Sequence, residues 1–113
     1  MSADVWILRD ACPHCGRGNE STDDELNVTY NLSKMLREAG FLGWREIKGK
    51  PAREVGEHIL GVLNHMATEP DKWRAMNPAN GWGDYDQCLQ GRMRAWAERC
   101  AKASPTDRIG AYL

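Results

Sequence analysis

Residues 85–103 place Tyr85, Leu89, Met93, Trp96 and Cys100 at helical spacing. Such a stripe predicts the longest helix of the chain, with one face that must be buried. Its start is heavily specified. In Asn77-Pro78-Ala79-Asn80-Gly81-Trp82-Gly83-Asp84-Tyr85-Asp86-Gln87, Asn77-Pro78 opens a turn and Asn80-Gly81 suits a second reversal. Gly81 and Gly83 flank Trp82, and Asp84 with Gln87 three residues on reads as a capping box. Arg94, Arg99 and Lys102 fall where the helix dipole favours positive charge, and Ser104-Pro105 ends the segment.

A second helix is predicted from Pro51, which suits a first turn, through Val55, Ile59, Val62, Leu63 and Met66. Pro70 restarts a short helix carrying Trp73 and Met76. A further one, capped by Asn31 or Ser33, carries Leu32, Met35, Leu36 and Ala39 before Gly40 closes it. Residues 41–48 have no clean period. Val5-Trp6-Ile7-Leu8 suits a strand, and Leu26-Asn27-Val28-Thr29-Tyr30 alternates so that Leu26, Val28 and Tyr30 share one face. Residues 10–24 read as loop, and 108–112 as a final edge strand. Strands at both ends with helices between predict an α+β fold: a small antiparallel sheet of residues 4–9, 25–30 and 108–112, covered on one face by three to four helices.

With 113 residues the expectation is a single domain, residues 1–113. A net charge of −1 argues against broad nucleic-acid binding, which needs a basic excess. No apolar run reaches the roughly 20 residues of a membrane span. The first ten residues lack a basic leader and a long apolar region, so a signal peptide is not expected. These features predict a cytoplasmic protein with its four cysteines reduced.

Cys12-Pro13-His14-Cys15 supplies two thiolates that can face one ion, which is half a zinc site. Cys88 and Cys100 cannot both complete it, because they lie about 18 Å apart along one helix. A surface turn with reduced thiols and no cofactor is the expectation, and zinc is the alternative that the spacing allows. The same four residues match thiol-oxidase motifs, but the sequence after Cys15 does not favour the helix such chemistry needs. Glu54, His58 and His65 fall within about 40° of one another on a helix and are expected to form a solvated edge. Gly49-Lys50 before a helix offers an anion site. No nucleophile has a recognisable base, so no enzyme is expected. Two polar groups remain as binding candidates: Asn27, Thr29, Tyr30 and Asn31, and the connector with Asn77, Asn80, Trp82 and Tyr85. Their amides and hydroxyls suit neutral polar ligands, and Trp82 suits stacking.

The chain also resembles a family of small proteins encoded by actinobacteriophages and by some bacteria. The resemblance rests on Asn27-Val28-Thr29-Tyr30-Asn31-Leu32, on Gly49-Lys50-Pro51-Ala52, and on the Asn77–Tyr85 connector, and it runs from residue 5 to about residue 100. A Cys-Pro-x-Cys-Gly turn like that of Cys12 to Gly16 is similar to one in the same family, although some members lack the cysteine pair and many carry histidine in place of Tyr30. The resemblance implies a phage accessory protein, and the expectation for one of this size is a non-enzymatic protein that binds a host protein in the host cytosol. The alternatives are a protein that binds or sequesters a nucleotide-like small ligand, and a small zinc-stabilised domain.

Overall fold

The computed structural model describes residues 2–10, 12, 14–15, 17–18, 25–79 and 83–113. Asn80, Gly81 and Trp82 lie outside the described residues, as does much of the 10–24 loop. The elements run β1 (Ser2–Leu8), β2 (Leu26–Thr29), α1 (Ser33–Glu38), α2 (Trp44–Ile47), α3 (Ala52–Met66), α4 (Pro70–Arg74), a π-wound helix (Tyr85–Met93) continued as α5 (Arg94–Ala101), and β3 (Arg108–Tyr112). The sheet is antiparallel with order β2-β1-β3, and Val5 faces both Leu26 and Ala111. The helices pack against it. This is an α+β fold.

Alternation along β1 decides the two faces of the sheet. Ala3, Val5 and Ile7 are fully buried with Leu26, Val28, Ile109 and Ala111, while Ser2, Asp4, Trp6 and Leu8 turn to the other side. On that outer side Trp6 lies across Gly110, its partner in β3. A Cβ at Gly110 would strike the indole, so the glycine permits the close approach. On the helical side α3 and α5 make the most extensive contact between elements. The predicted stripes are both buried there: Val55, Ile59, Val62, Leu63 and Met66 from α3, and Tyr85, Leu89, Met93, Trp96 and Cys100 from the helix facing it.

Four local expectations need correction. Tyr30 does not continue β2: the Thr29 hydroxyl accepts the Asn31 N–H at 3.3 Å and turns the chain into a 3-10 segment, Tyr30–Leu32. Thr29, rather than Asn31 or Ser33, therefore caps this segment, while Gly40 closes the helix at φ +101° as expected. Residues 44–47 form a helix despite their lack of period, because Trp44 and Ile47 both turn inward. The helix beginning at Tyr85 is π-wound through Met93 before it becomes α-helical.

The corners are fixed by side chains. Asp84 accepts the N–H groups of Gln87 and Cys88 at 3.1 and 3.3 Å, and Asn77 Oδ1 accepts that of Tyr85 at 2.8 Å. Both capture main-chain donors that a helix start leaves without partners. Arg74 forks onto Asp86 and also reaches Asp71, joining α4 to the π-wound segment. Beyond β3, residues 49–52 run alongside as a ragged extension of the sheet. Gly49 N–H donates to Ile109 O at 2.8 Å, Ile109 N–H to Lys50 O at 3.0 Å, and Ala52 N–H to Asp107 O at 2.9 Å. Those bonds overturn the anion site expected at Gly49-Lys50, whose two N–H groups are engaged by Ile109 and Ile47.

Candidate functional site

The candidate residues separate into three places. Asn27 is exposed on the outer face of the sheet, where its amide donates to Ser2 Oγ at 2.8 Å and to Asp4 Oδ1. Thr29 and Asn77 are half-buried and hold backbone, as described above. Tyr85 belongs to the core: it is 2% exposed, and its hydroxyl accepts from Gln90 Nε2 at 2.9 Å, which also donates to Leu63 O. Asn31 is exposed beside Tyr30.

The two polar segments do meet. Gly83, at φ +98°, lies so close to β2 that a Cβ on it would come within 2.6 Å of Thr29 Cγ2 and 3.1 Å of Leu32 Cδ1. A side chain here would be both strained and obstructed. The connector is thus anchored against Thr29 on one side and through Asn77 and Tyr85 on the other. Asn80 and Trp82, the remaining candidates in it, lie outside the described residues.

Tyr30 leads to a different feature. With Ser33 and Arg37 it lines an open groove of about 540 Å³, together with Phe41, Leu42, Gly43, Trp44, Arg45, Glu46 and Leu113. The 41–43 segment bends because Gly43 takes φ +118°, and Glu46 folds back over it. Phe41 and Trp44 meet edge to face, with centroids 4.8 Å apart. Trp44 is buried, and its indole N–H has no acceptor among the described residues. Among the described residues, neither Arg37 nor Arg45 takes part in a salt bridge. Among the described residues, the large hydrophobic side chains left exposed are Leu42 at 54%, Tyr112 at 74% and Leu113 at 40%. Leu42 and Leu113 line the groove, and Tyr112 immediately precedes Leu113.

Sequence reasoning found Tyr30 and missed the rest of this lining. Phe41-Leu42-Gly43-Trp44 was the available signal, an apolar run broken by a glycine where no helix or strand period holds.

His58 supports the lip of the groove from α3. Its Nε2 accepts the Leu42 N–H at 3.2 Å, and its ring stacks on Phe41. It therefore has a specific structural task, beyond the solvated edge expected for it. Burial holds its pKa below the ordinary 6.5, favouring the neutral ring that this bond requires. A depressed folded pKa means that the contribution is present above the unfolded value and lost as pH falls through the folded one. Thermal melts of the native protein should therefore lose stability on acidification below pH 6.5, by less than about 1 kcal/mol because the bond is open to solvent. In His58→Gln, which keeps an acceptor but does not titrate, that part of the pH dependence should vanish. Parallel curves for the two proteins would show that the Leu42 bond carries no such linkage.

Cys12 and Cys15 sit together on the loop after β1. Both are free thiols, Cys12 half-buried and Cys15 exposed. The Cys12 N–H donates to Arg17 O at 2.7 Å, closing the turn. The Cys12 sulfur accepts the backbone N–H groups of Cys15 and His14 and the Cys15 thiol, and these bonds hold its pKa below the ordinary thiol value. No cluster of three or more His, Cys, Asp or Glu side chains suited to a metal occurs among the described residues.

Compared with protein-family models, curated proteins and solved structures, the chain has no match. No helix among the described residues is long and apolar enough to cross a membrane.

Proposed function

We propose that this chain is a non-enzymatic binding protein, a phage accessory protein that occupies a host protein in the host cytosol, and that the groove is its contact surface. The setting comes from the resemblance described above. The contact surface rests on one observation: exposed apolar side chains gather at a groove that also presents two arginines in no salt bridge among the described residues. Apolar rims of this kind mark interaction surfaces, and arginine is prominent among residues that dominate binding energy. A partner segment with an apolar anchor and an acidic neighbour would complement Leu42 and Leu113 through the first and Arg37 and Arg45 through the second.

The test is charge reversal. Arg37 and Arg45 are exposed, so Arg37→Glu/Arg45→Glu should fold and melt like the native protein. The native chain, expressed in an actinobacterial host, should retain a partner that cross-links to a photoreactive residue at position 42. The double variant should bind that partner at least about tenfold more weakly. Undiminished binding would remove the groove as the contact.

A groove of this volume also lies within the usual range for small-molecule sites. Tyr30, Phe41 and Trp44 give it an aromatic wall. That favours, as a second reading, an anionic nucleotide-like ligand. Native mass spectrometry separates the two readings, since such a ligand would add a mass that is lost on denaturation.

A further inference from the structure

The Cys12–Cys15 turn is not used by the proposed groove. We propose that the turn is a solvent-facing dithiolate site for a thiophilic d10 metal ion, zinc(II) or copper(I). Two-residue spacing lets both sulfurs address one ion. The turn is already closed by the 2.7 Å bond from Cys12 N–H to Arg17 O. The backbone N–H groups of Cys15 and His14 favour the thiolate form of Cys12. They would stabilise negative charge there once a metal had displaced the thiol proton.

Neither thiol is sequestered: Cys15 is exposed and Cys12 half-buried, whereas Cys88 and Cys100 are buried in the core. Thiolate softness selects the metal class, because soft sulfur ligands favour copper(I) and zinc over hard cations such as magnesium or calcium. Zinc in a tetrahedral site needs two further donors, whereas copper(I) can be held by two thiolates in a linear arrangement. Binding replaces two S–H bonds with two S–metal bonds and releases two protons, so affinity rises with pH.

The experiment uses the reduced full-length chain without oxygen, offering copper(I) in competition with a chromogenic copper(I) chelator and, separately, zinc(II) in competition with a zinc indicator. The chain should take up about one equivalent of at least one of the two metals. Cys12→Ser and Cys15→Ser should each weaken uptake at least about tenfold, while Cys88→Ser leaves it unchanged. Circular dichroism of the two surface variants should match the native protein. Copper uptake alone identifies a two-coordinate site. Zinc uptake, or uptake of one metal per two chains, identifies a site completed by further donors. Failure to compete for either metal would overturn the proposal, as would uptake that survives Cys12→Ser.

Discussion

Gly56→Ala is expected to destabilise the protein by about 2 kcal/mol, whereas Gly61→Ala on the same helix should stabilise it by up to about 1 kcal/mol. Both changes add one methyl group and improve helix propensity equally. Their surroundings differ. A Cβ at Gly56 would lie 2.7 Å from Ala97 O and 2.8 Å from Cys100 Cβ, and would press on the backbone nitrogen of Ala101. Real Cβ atoms essentially never approach so closely, and most of these neighbours are backbone that cannot rotate away. Helices α3 and α5 would have to separate, loosening the contact on which the helical layer depends. Gly61 is exposed, and a methyl group added there would meet nothing within 4 Å. Denaturant unfolding of the three proteins decides the matter. Similar midpoints for the two variants would mean that the helices do not cross as described.

Asp107→Ala should cost about 3 kcal/mol, a large share of the stability of a domain this size. Asp107 is 2% exposed and is the sole polar or charged side chain buried among the described residues. One oxygen accepts the Asp10 N–H at 2.9 Å; the other accepts the Ser104 N–H at 3.0 Å and the Arg9 guanidinium at 2.9 Å. These bonds tie the end of β1 to the loop that leads into β3. They also hold Asp10 at φ +51°, a conformation few residues adopt without support. Removing the carboxylate would leave two main-chain donors with their partner gone. Burial pushes the Asp107 pKa up, but the Asp10, Arg9 and Ser104 donors outweigh it and the net shift is downward from the ordinary 3.8. The unfolded chain therefore takes up this proton at higher pH than the folded one. Stability is fully present above pH 3.8 and is lost as pH falls through the lower folded value. Asp107→Asn should remove that portion of the acid sensitivity. A loss below about 0.5 kcal/mol in Asp107→Ala would sink the account, since surface changes alone reach that size.

The layered fold was legible because it rests on periodicity. A short apolar run marked β1, alternation marked β2, and helical stripes marked α3 and the helix that begins at Tyr85. What escaped notice depended on contacts between distant residues. Gly56 looks like an unhelpful glycine in a helix until Ala97, Cys100 and Ala101 stand opposite it. Trp44 and Ile47 are too close in sequence to display a period. Thr29 ended β2 early because its hydroxyl could bond to Asn31, an option that competes with strand extension in any sequence of this kind. The candidate site was less legible than the fold. Asn77 and Tyr85 proved to be engaged with backbone and core, and Tyr30 was recognised for its place in a polar segment, while the rest of the groove lining comes largely from residues 41–46 and Leu113. That Arg37 and Arg45 join no salt bridge among the described residues carries no sequence mark, since charge pairing depends on the fold.

The sheet order has a consequence for how the chain finds its structure. The ladder between β1 and β2 joins Val5 to Leu26, whereas that between β1 and β3 joins Leu8 to Arg108. The first closes a short loop and the second encloses nearly the whole chain, at a greater entropic cost. The α3–α5 contact closes an intermediate span and can form without either ladder. Folding is therefore expected to proceed from the helical layer and the β1–β2 hairpin, with β3 docking last onto a central strand already held on one side.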